Sequence, residues 1–429
     1  MPGTDIRALL VLAVCVVFFL TKWLPACVTG VAGCLAMVFL GVCSYQQAFS
    51  GFSSSITLLM ASAMIVGIAM FKTGVAQIVG RTVGRLSGGD EKRFLFSLCA
   101  LGGLLSMFFA NTAIVAVMIP VIESVCAQPG SQMKRLHLVL PMTLAVMIGG
   151  AGTLVGCTPQ LTANGMLKSL TGIEMTMWTL TGPMFGMFAC WGAYMLIAGY
   201  RQGCKVFLGR EERQMDIDPE RVEAIRSARH DPRQVRLMFV LLTAMIVSYV
   251  VGVIPVAYTA MITAIMCIAT GCCTVTDVKR ELNWETVVFL ASCLGIAEAM
   301  TVSGAGETIG RWVNQVAGNV HSPFALFAMV VLMTLVLSQF ITNSTAIIIV
   351  LPIGLSMCSV YGMNSMAFCV GITLAASVAC CTPLAAAQIT MTQVAGYEFR
   401  DYLSYCLPSS IVMYLAILAF VPLFYPLAG

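Results

Sequence analysis

The chain has 429 residues, 59% of them hydrophobic and 10% charged, with a mean hydropathy of +0.93 and a formal net charge of +4. That balance excludes a soluble globule and implies a polytopic membrane protein. Most of the 18 cysteines stand singly in apolar runs and the three histidines (His137, His230, His321) lie near the ends of such runs, so neither a disulfide framework nor a His-based metal site is expected.

A hydrocarbon core about 30 Å thick needs about 20 apolar residues per helix. In chain order, full spans are predicted over 6–22, 25–43, 54–71, 137–167 (interrupted), 177–199, 235–253, 255–273, 284–302, 364–392 (interrupted) and 407–427. The first has only Arg7 before it and no small-residue cleavage site, and reads as a retained helix. No soluble domain is left over. Two further apolar stretches carry polar punctuation: "SMFFANTAIVAVMIPV" from Ser106 and "SQFITNSTAIIIVLPI" from Ser338, with Asn111 and Asn343 each nine residues before a proline (Pro120, Pro352). Each predicts a pair of half-helices, over 94–125 and 322–359. The interrupted spans hold "GGAGTLVGCTPQLTANG" (Gly149 to Gly165) and "AASVACCTPLAAAQ" (Ala375 to Gln388), in which Pro159 and Pro383 cannot donate a helical hydrogen bond.

These features occur in matched pairs. Sliding the second half back by about 230 residues sets "GAGETIGR" (Gly304 to Arg311) on "GVAQIVGR" (Gly74 to Arg81), Asn343 on Asn111, Pro352 on Pro120 and Pro383 on Pro159, in order. The predicted organisation is a first membrane repeat over 1–199, a connector over 200–233 with mixed charge that reads as a solvated cytoplasmic helix, and a second repeat over 234–429. Five crossings per repeat, with each hairpin re-entering from one face, would invert the second copy. The positive-inside rule agrees, because with both termini outside 20 of the 23 Lys and Arg fall on the inner side and only Arg7, Lys168 and Arg311 outside. The fold class expected is therefore an all-α polytopic protein of the cell (inner or plasma) membrane, with two inverted-topology repeats, each holding a re-entrant helical hairpin and a broken transmembrane helix.

Irregular backbone at membrane depth survives only where protein, water or solute satisfies its polar groups. A break ends one half-helix and starts another, whose N-terminal N–H groups favour an anion, while the preceding carbonyls can hold a cation. Inverted repeats with broken helices at the midplane are the mark of secondary transporters. The plainer reading is that Asn, Ser and Thr glue helices together and Pro makes kinks. Four breaks in matched pairs argue against it. The stretches 94–122, 138–167, 322–360 and 364–394 contain no Asp, Glu, Lys or Arg, so an anion would find its countercharge at helix ends and co-bound cations. Glu298, in "GIAEAMTVSG", is the one acid placed inside a span, and is a candidate for proton coupling.

With its two polar tips each followed by a proline and its paired Thr-Pro breaks after small-residue runs, the chain resembles the divalent-anion:sodium symporter family, which includes the sodium-dicarboxylate and sodium-citrate cotransporters. The likeness covers nearly the whole chain, though an N-terminal span that many members have is not apparent. It implies a homodimer that moves its hairpin domain by an elevator motion, with sodium as coupling ion and a small anion as solute. Carried over by position, the first sodium site would use Ser106, Asn111 and backbone at Ala110 and Cys157, and the second Ser338, Asn343 and backbone at Ile341 and Cys381. Substrate contacts would come from Asn111, Thr112, Thr158, Pro159, Thr342, Asn343, Ser344, Thr382 and Pro383. Three positions depart from the pattern: Ala110 replaces a tip serine, and Gln160 and Leu384 stand where a second proline is usual. The alternatives are a sulfate or other inorganic anion transporter and a sodium/proton antiporter of the same superfamily. A membrane-embedded enzyme would need a nucleophile, metal cluster or acid–base pair that the charge-free core does not offer, and no nucleic-acid partner is expected.

Overall fold

The computed structural model of the chain describes residues 3–21, 23–75, 90–126, 133–207, 231–305, 308, 322–382 and 386–428. Lys22, Arg81, Arg85, His230, Arg311, His321, Pro383, Leu384 and most of the 200–233 connector lie outside the described residues. Among the described residues the regular structure is helical, apart from an isolated bridge between Met363 and Ala428.

The first half runs α1 (Thr4–Thr21), α2 (Ala26–Phe39), α3 (Ser55–Lys72), α4 (Glu91–Ser106), α5 (Asn111–Cys126), α6 (Arg135–Gly150), α7 (Thr158–Thr171) and α8 (Thr181–Tyr194), the last continuing through a π turn to Val206. The second half repeats that order as α9 (Pro232–Val251), α10 (Val256–Ala269), α11 (Trp284–Ser303), α12 (Pro323–Leu337), α13 (Asn343–Tyr361), α14 (Ser365–Ser377), α15 (Ala387–Met391) and α16 (Phe399–Phe424). Local chemistry is repeated with it. Pro25 and Pro255 precede α2 and α10 with φ of −53° each, and capping boxes at Ser44/Gln47 and Thr274/Asp277 start the short helices after them.

Among the described residues four helices, Thr181–Val206, Trp284–Ser303, Asn343–Tyr361 and Phe399–Phe424, are long and apolar enough to cross a membrane by length and composition. Shorter apolar helices include α2, α6, α10, α12 and α14. Two of the expected spans are short for a visible reason: α6 stops at Gly150 before an irregular loop, and α14 stops at Ser377 before another. Trp23, Phe39, Ile197, Val253 and Leu423 are exposed, as lipid contact requires.

The halves interlock reciprocally. α2 lies along α11 and α10 along α3, so the second helix of each half packs on the third of the other. Likewise α13 packs on α7 and α15 on α5, while α8 and α16 pair. The hairpin α4–α5 rests on α6, and α12–α13 on α14, which gathers both hairpins and both broken helices into one body. α7 touches the flanking helices α3 and α11, and α13 touches α1.

One polar clamp anchors the first hairpin at its base. Glu91, in the first turn of α4, accepts from the Lys134 backbone N–H (2.9 Å) and the Tyr200 hydroxyl (2.8 Å) and pairs with His137 Nδ1 (2.9 Å). Burial alone would raise the pKa of this carboxyl, but His137, the Lys134 N–H and Tyr200 together hold it below its ordinary 4.5. A depressed folded-state pKa means stability fully present above that value and lost as pH falls beneath it. Glu91→Gln should therefore lower stability at neutral pH by about 1–3 kcal/mol. It should also flatten the acid limb of the melting temperature measured in detergent. An unchanged acid limb would assign that limb to other carboxylates.

Candidate functional site

Both expected breaks fall where the sequence places them. α4 ends at Ser106 and α5 begins at Asn111; α12 ends at Leu337 and α13 begins at Asn343, with Thr342 as N-cap accepting from Thr345 N–H (3.3 Å). Each tip is tied to the broken loop of its own half. The Thr153 hydroxyl donates to the Met107 carbonyl, and the Thr382 hydroxyl donates to the carbonyl of Gln339, the residue matching Met107. The Gln339 side chain also accepts from Cys381 N–H (2.7 Å). In the first loop the Cys157 thiol donates to Gln160 Oε1 (2.9 Å), and Gln160 Nε2 donates to the Gly150 carbonyl (3.4 Å) and to Ser377 Oγ of α14 (3.2 Å). Gln160, fully buried, thus joins the two broken helices.

The tips and loops converge on one cavity of about 390 Å³. Its lining includes Ala110, Asn111 and Thr112 from the first tip, Cys157, Thr158 and Pro159 from the first loop, and Thr342, Asn343 and Ser344 from the second tip. Ser106, Ser338, Ile341, Cys381 and Thr382 are buried and do not line it, and Pro383 lies outside the described residues. The opposite wall comes from Ala26 at the start of α2, from Met60, Ala63 and Met64 of α3, and from Asn283, Glu285 and Thr286 at the start of α11.

The first residues of α5, α7 and α13 (Asn111, Thr158, Asn343) line this space, as do those of α2 and α15 (Ala26, Ala387). Their unpaired N–H groups and positive dipole ends favour a carboxylate or similar anion. The lining among the described residues holds no Lys, Arg or His, and one acid, Glu285.

Glu285 corrects the expectation that Glu298 is the one acid within a span. It occupies the first turn of α11, whereas Glu298 lies half-buried farther along the helix and away from the cavity. Spacing missed Glu285 because an acid at the first turn of an apolar helix reads as an end residue complementing the dipole. Its counterpart by the 230-residue repeat is Ser55, at the start of α3. Gln388, buried at the start of α15, was missed for want of any motif.

Three buried atoms at the tips have no hydrogen-bond partner: Asn111 Nδ2, Ser338 Oγ and Asn343 Oδ1. A native protein rarely leaves such atoms unpaired, and these three are free to bond a solute or ion. The available donor set is hydroxyl, amide and carbonyl oxygen, which suits a hard cation such as sodium. Among the described residues no cluster of His, Cys, Asp and Glu could hold a metal of another kind.

The family model for the citrate transporter matches residues 16–325. The uncharacterized transporter sll0640 of Synechocystis is 28% identical over 190 residues, which are 44% of this chain and 31% of that protein. The uncharacterized transporter YfbS of Escherichia coli is 32% identical over 167 residues, 39% of this chain and 27% of that protein. The chain thus matches under a third of the length of either. The sodium-dependent dicarboxylate transporter SdcS of Staphylococcus aureus is 20% identical over 406 residues, covering 86% of this chain and 75% of SdcS. Among solved structures, MtrF of Neisseria gonorrhoeae, described with a class of antimetabolite efflux pumps, superposes with a TM-score of 0.63 at 14% identity, covering 89% of this chain and 83% of its own. The YdaH transporter of Alcanivorax borkumensis gives 0.62 at 14% identity, covering 91% and 87%. At that identity the two structures speak for the fold alone.

Proposed function

Because the chain belongs to the citrate transporter family, we propose that it is a secondary active transporter that takes up a small divalent organic anion of the dicarboxylate class, driven by sodium. The observation that carries this reading is the cavity, where the first residues of α5, α7 and α13 and the unpaired amide atoms of Asn111 and Asn343 meet with no cationic side chain among the described lining residues. Asn111, Thr112, Thr158, Pro159, Thr342, Asn343 and Ser344 would hold the carboxylates, with Thr382 and Pro383 as further contacts. Oxygen atoms at the tips would hold the coupling ion, whose charge offsets that of the anion. The similarity to SdcS supports sodium and a dicarboxylate.

In this reading 1–199 and 234–429 are inverted repeats joined by a cytoplasmic 200–233 connector, with both termini outside and the hairpins re-entering from opposite faces. The body formed by α4–α7 and α12–α15 would slide as an elevator against α1–α3 and α9–α11 within a homodimer. The reciprocal packing of the two halves supports such a division.

Uptake into proteoliposomes tests the proposal. An inward sodium gradient should drive accumulation of succinate or citrate, and competition should rank these above sulfate. Uptake indifferent to sodium, or sulfate outcompeting both carboxylates, would count against it. Glu285 favours one second reading, sodium/proton exchange, since it supplies a titratable group in the cavity. Proton movement driven by sodium with no anion present would select that alternative.

A further inference from the structure

We infer that the two tips are not equivalent: the coupling cation is held at the second tip, by Ser338 and Asn343, while at the first tip the matching oxygens are satisfied by the protein and Asn111 is left to receive the anion. This rests on the sodium-coupled reading above and deepens it.

The contrast lies in two pairs of identical residues at matching positions. At the first tip the Ser106 hydroxyl donates to Asn111 Oδ1, and the atom left without a partner is a donor, Nδ2. Ser106 and Asn111 are 0% and 3% exposed. At the second tip Ser338 and Asn343 are 0% and 9% exposed, yet Ser338 Oγ and Asn343 Oδ1 both lack a partner. In either orientation of the amides, Ser106 is satisfied by Asn111 and Ser338 is not satisfied by Asn343. In the orientation shown, the first tip offers an unpaired N–H group, which repels a cation and suits a carboxylate, and the second offers two unpaired oxygens, which suit a hard cation; turning the amides over exchanges nitrogen and oxygen but still leaves Ser338 Oγ, and not Ser106 Oγ, unpaired.

Neighbouring residues reinforce the difference. Ala110 brings no hydroxyl to the first tip. A Cβ on Gly150 would lie 1.9 Å from Asn111 Oδ1 and 2.8 Å from Ser106 Oγ, so the α6 backbone packs directly on that pair. The Gly150 carbonyl in turn accepts from Gln160. The arrangement sets a cation beside an anion, each at its own tip, which lets the first ligand to arrive favour the second.

Sodium-dependent thermal stabilisation of the purified full-length protein, with choline replacing sodium at constant ionic strength, tests this without relying on transport. A ligand that binds only the folded state raises its melting temperature in proportion to occupancy. Ser338→Ala should raise the sodium concentration for half-maximal stabilisation by about tenfold or more, and Ser106→Ala should leave it within about twofold. Ser338→Thr, which keeps the hydroxyl, should respond as the parent does. Should Ser338→Ala fail to fold, Ser338→Cys replaces the oxygen with a soft thiol at nearly the same size and should weaken the sodium response similarly. Equal losses for Ser106→Ala and Ser338→Ala would overturn the inference in favour of two equivalent sites. No sodium effect on the unmodified protein would overturn the sodium reading beneath it, and needs no variant to detect.

Discussion

Asn111→Ala and Asn343→Ala should each reduce anion uptake by about 10- to 100-fold, the range expected for losing a hydrogen bond to a charged group, while leaving the protein folded. The alternative is that these asparagines join helices, and an interhelical hydrogen bond in a membrane protein averages only about 0.6 kcal/mol. The geometry separates the two. Asn343 Oδ1 and Asn111 Nδ2 are buried without a hydrogen-bond partner, so removing these two atoms breaks no hydrogen bond of the fold. Melting temperature in detergent should therefore shift by only a few degrees, somewhat more for Asn111, whose Oδ1 is the acceptor for Ser106. A pair of variants that melt early but transport normally per folded molecule would return both residues to a structural role.

The positions of the tips are legible in the sequence because helix breaks obey local chemistry. A short polar residue nine positions before a proline, inside an otherwise apolar run, marks the start of a half-helix, and α5 and α13 do begin at Asn111 and Asn343. The duplication is legible for the same reason, since capping boxes, prolines and Thr-Pro breaks recur in one order in both halves. Which partner each side chain takes is a matter of tertiary distance, and there the sequence is silent. Gln160 is visible as a departure from a proline, but its bond to Ser377 spans 217 residues. Ser106 and Ser338 look alike in their motifs and differ only in whether the neighbouring amide is turned toward them. Glu285 faces the cavity because the start of α11 sits opposite the tips, a relation that no pattern of periodicity carries.

Gly149→Ala should be among the most damaging single methyls in the first half, and the reason is that it meets backbone on the far side. α4 crosses α6 with Gly103 against Gly149, and a Cβ on Gly149 would lie 2.1 Å from the Gly103 carbonyl oxygen and 2.5 Å from its carbonyl carbon and Cα. Small residues at such crossings let helix backbones touch, and packing of that kind is a principal source of cohesion in lipid. A side chain can rotate out of the way, but a helical carbonyl cannot move without the helix. Overpacking a tight core costs about 1–3 kcal/mol, occasionally more, and here the expected value lies at the upper end. The shift also reaches the site, because the residue after Gly149 is Gly150, which packs on Asn111 and Ser106. Uptake should fall together with thermal stability, unlike the asparagine variants. Gly102→Ala is the control one position away on α4: its Cβ would meet Val146 Cγ2 at 2.9 Å, a side-chain methyl that can shift. Melting curves and uptake for the two alanine variants, measured side by side, check the argument. If Gly149→Ala proves as stable as Gly102→Ala, the close crossing of α4 and α6 is not what holds the first tip in register.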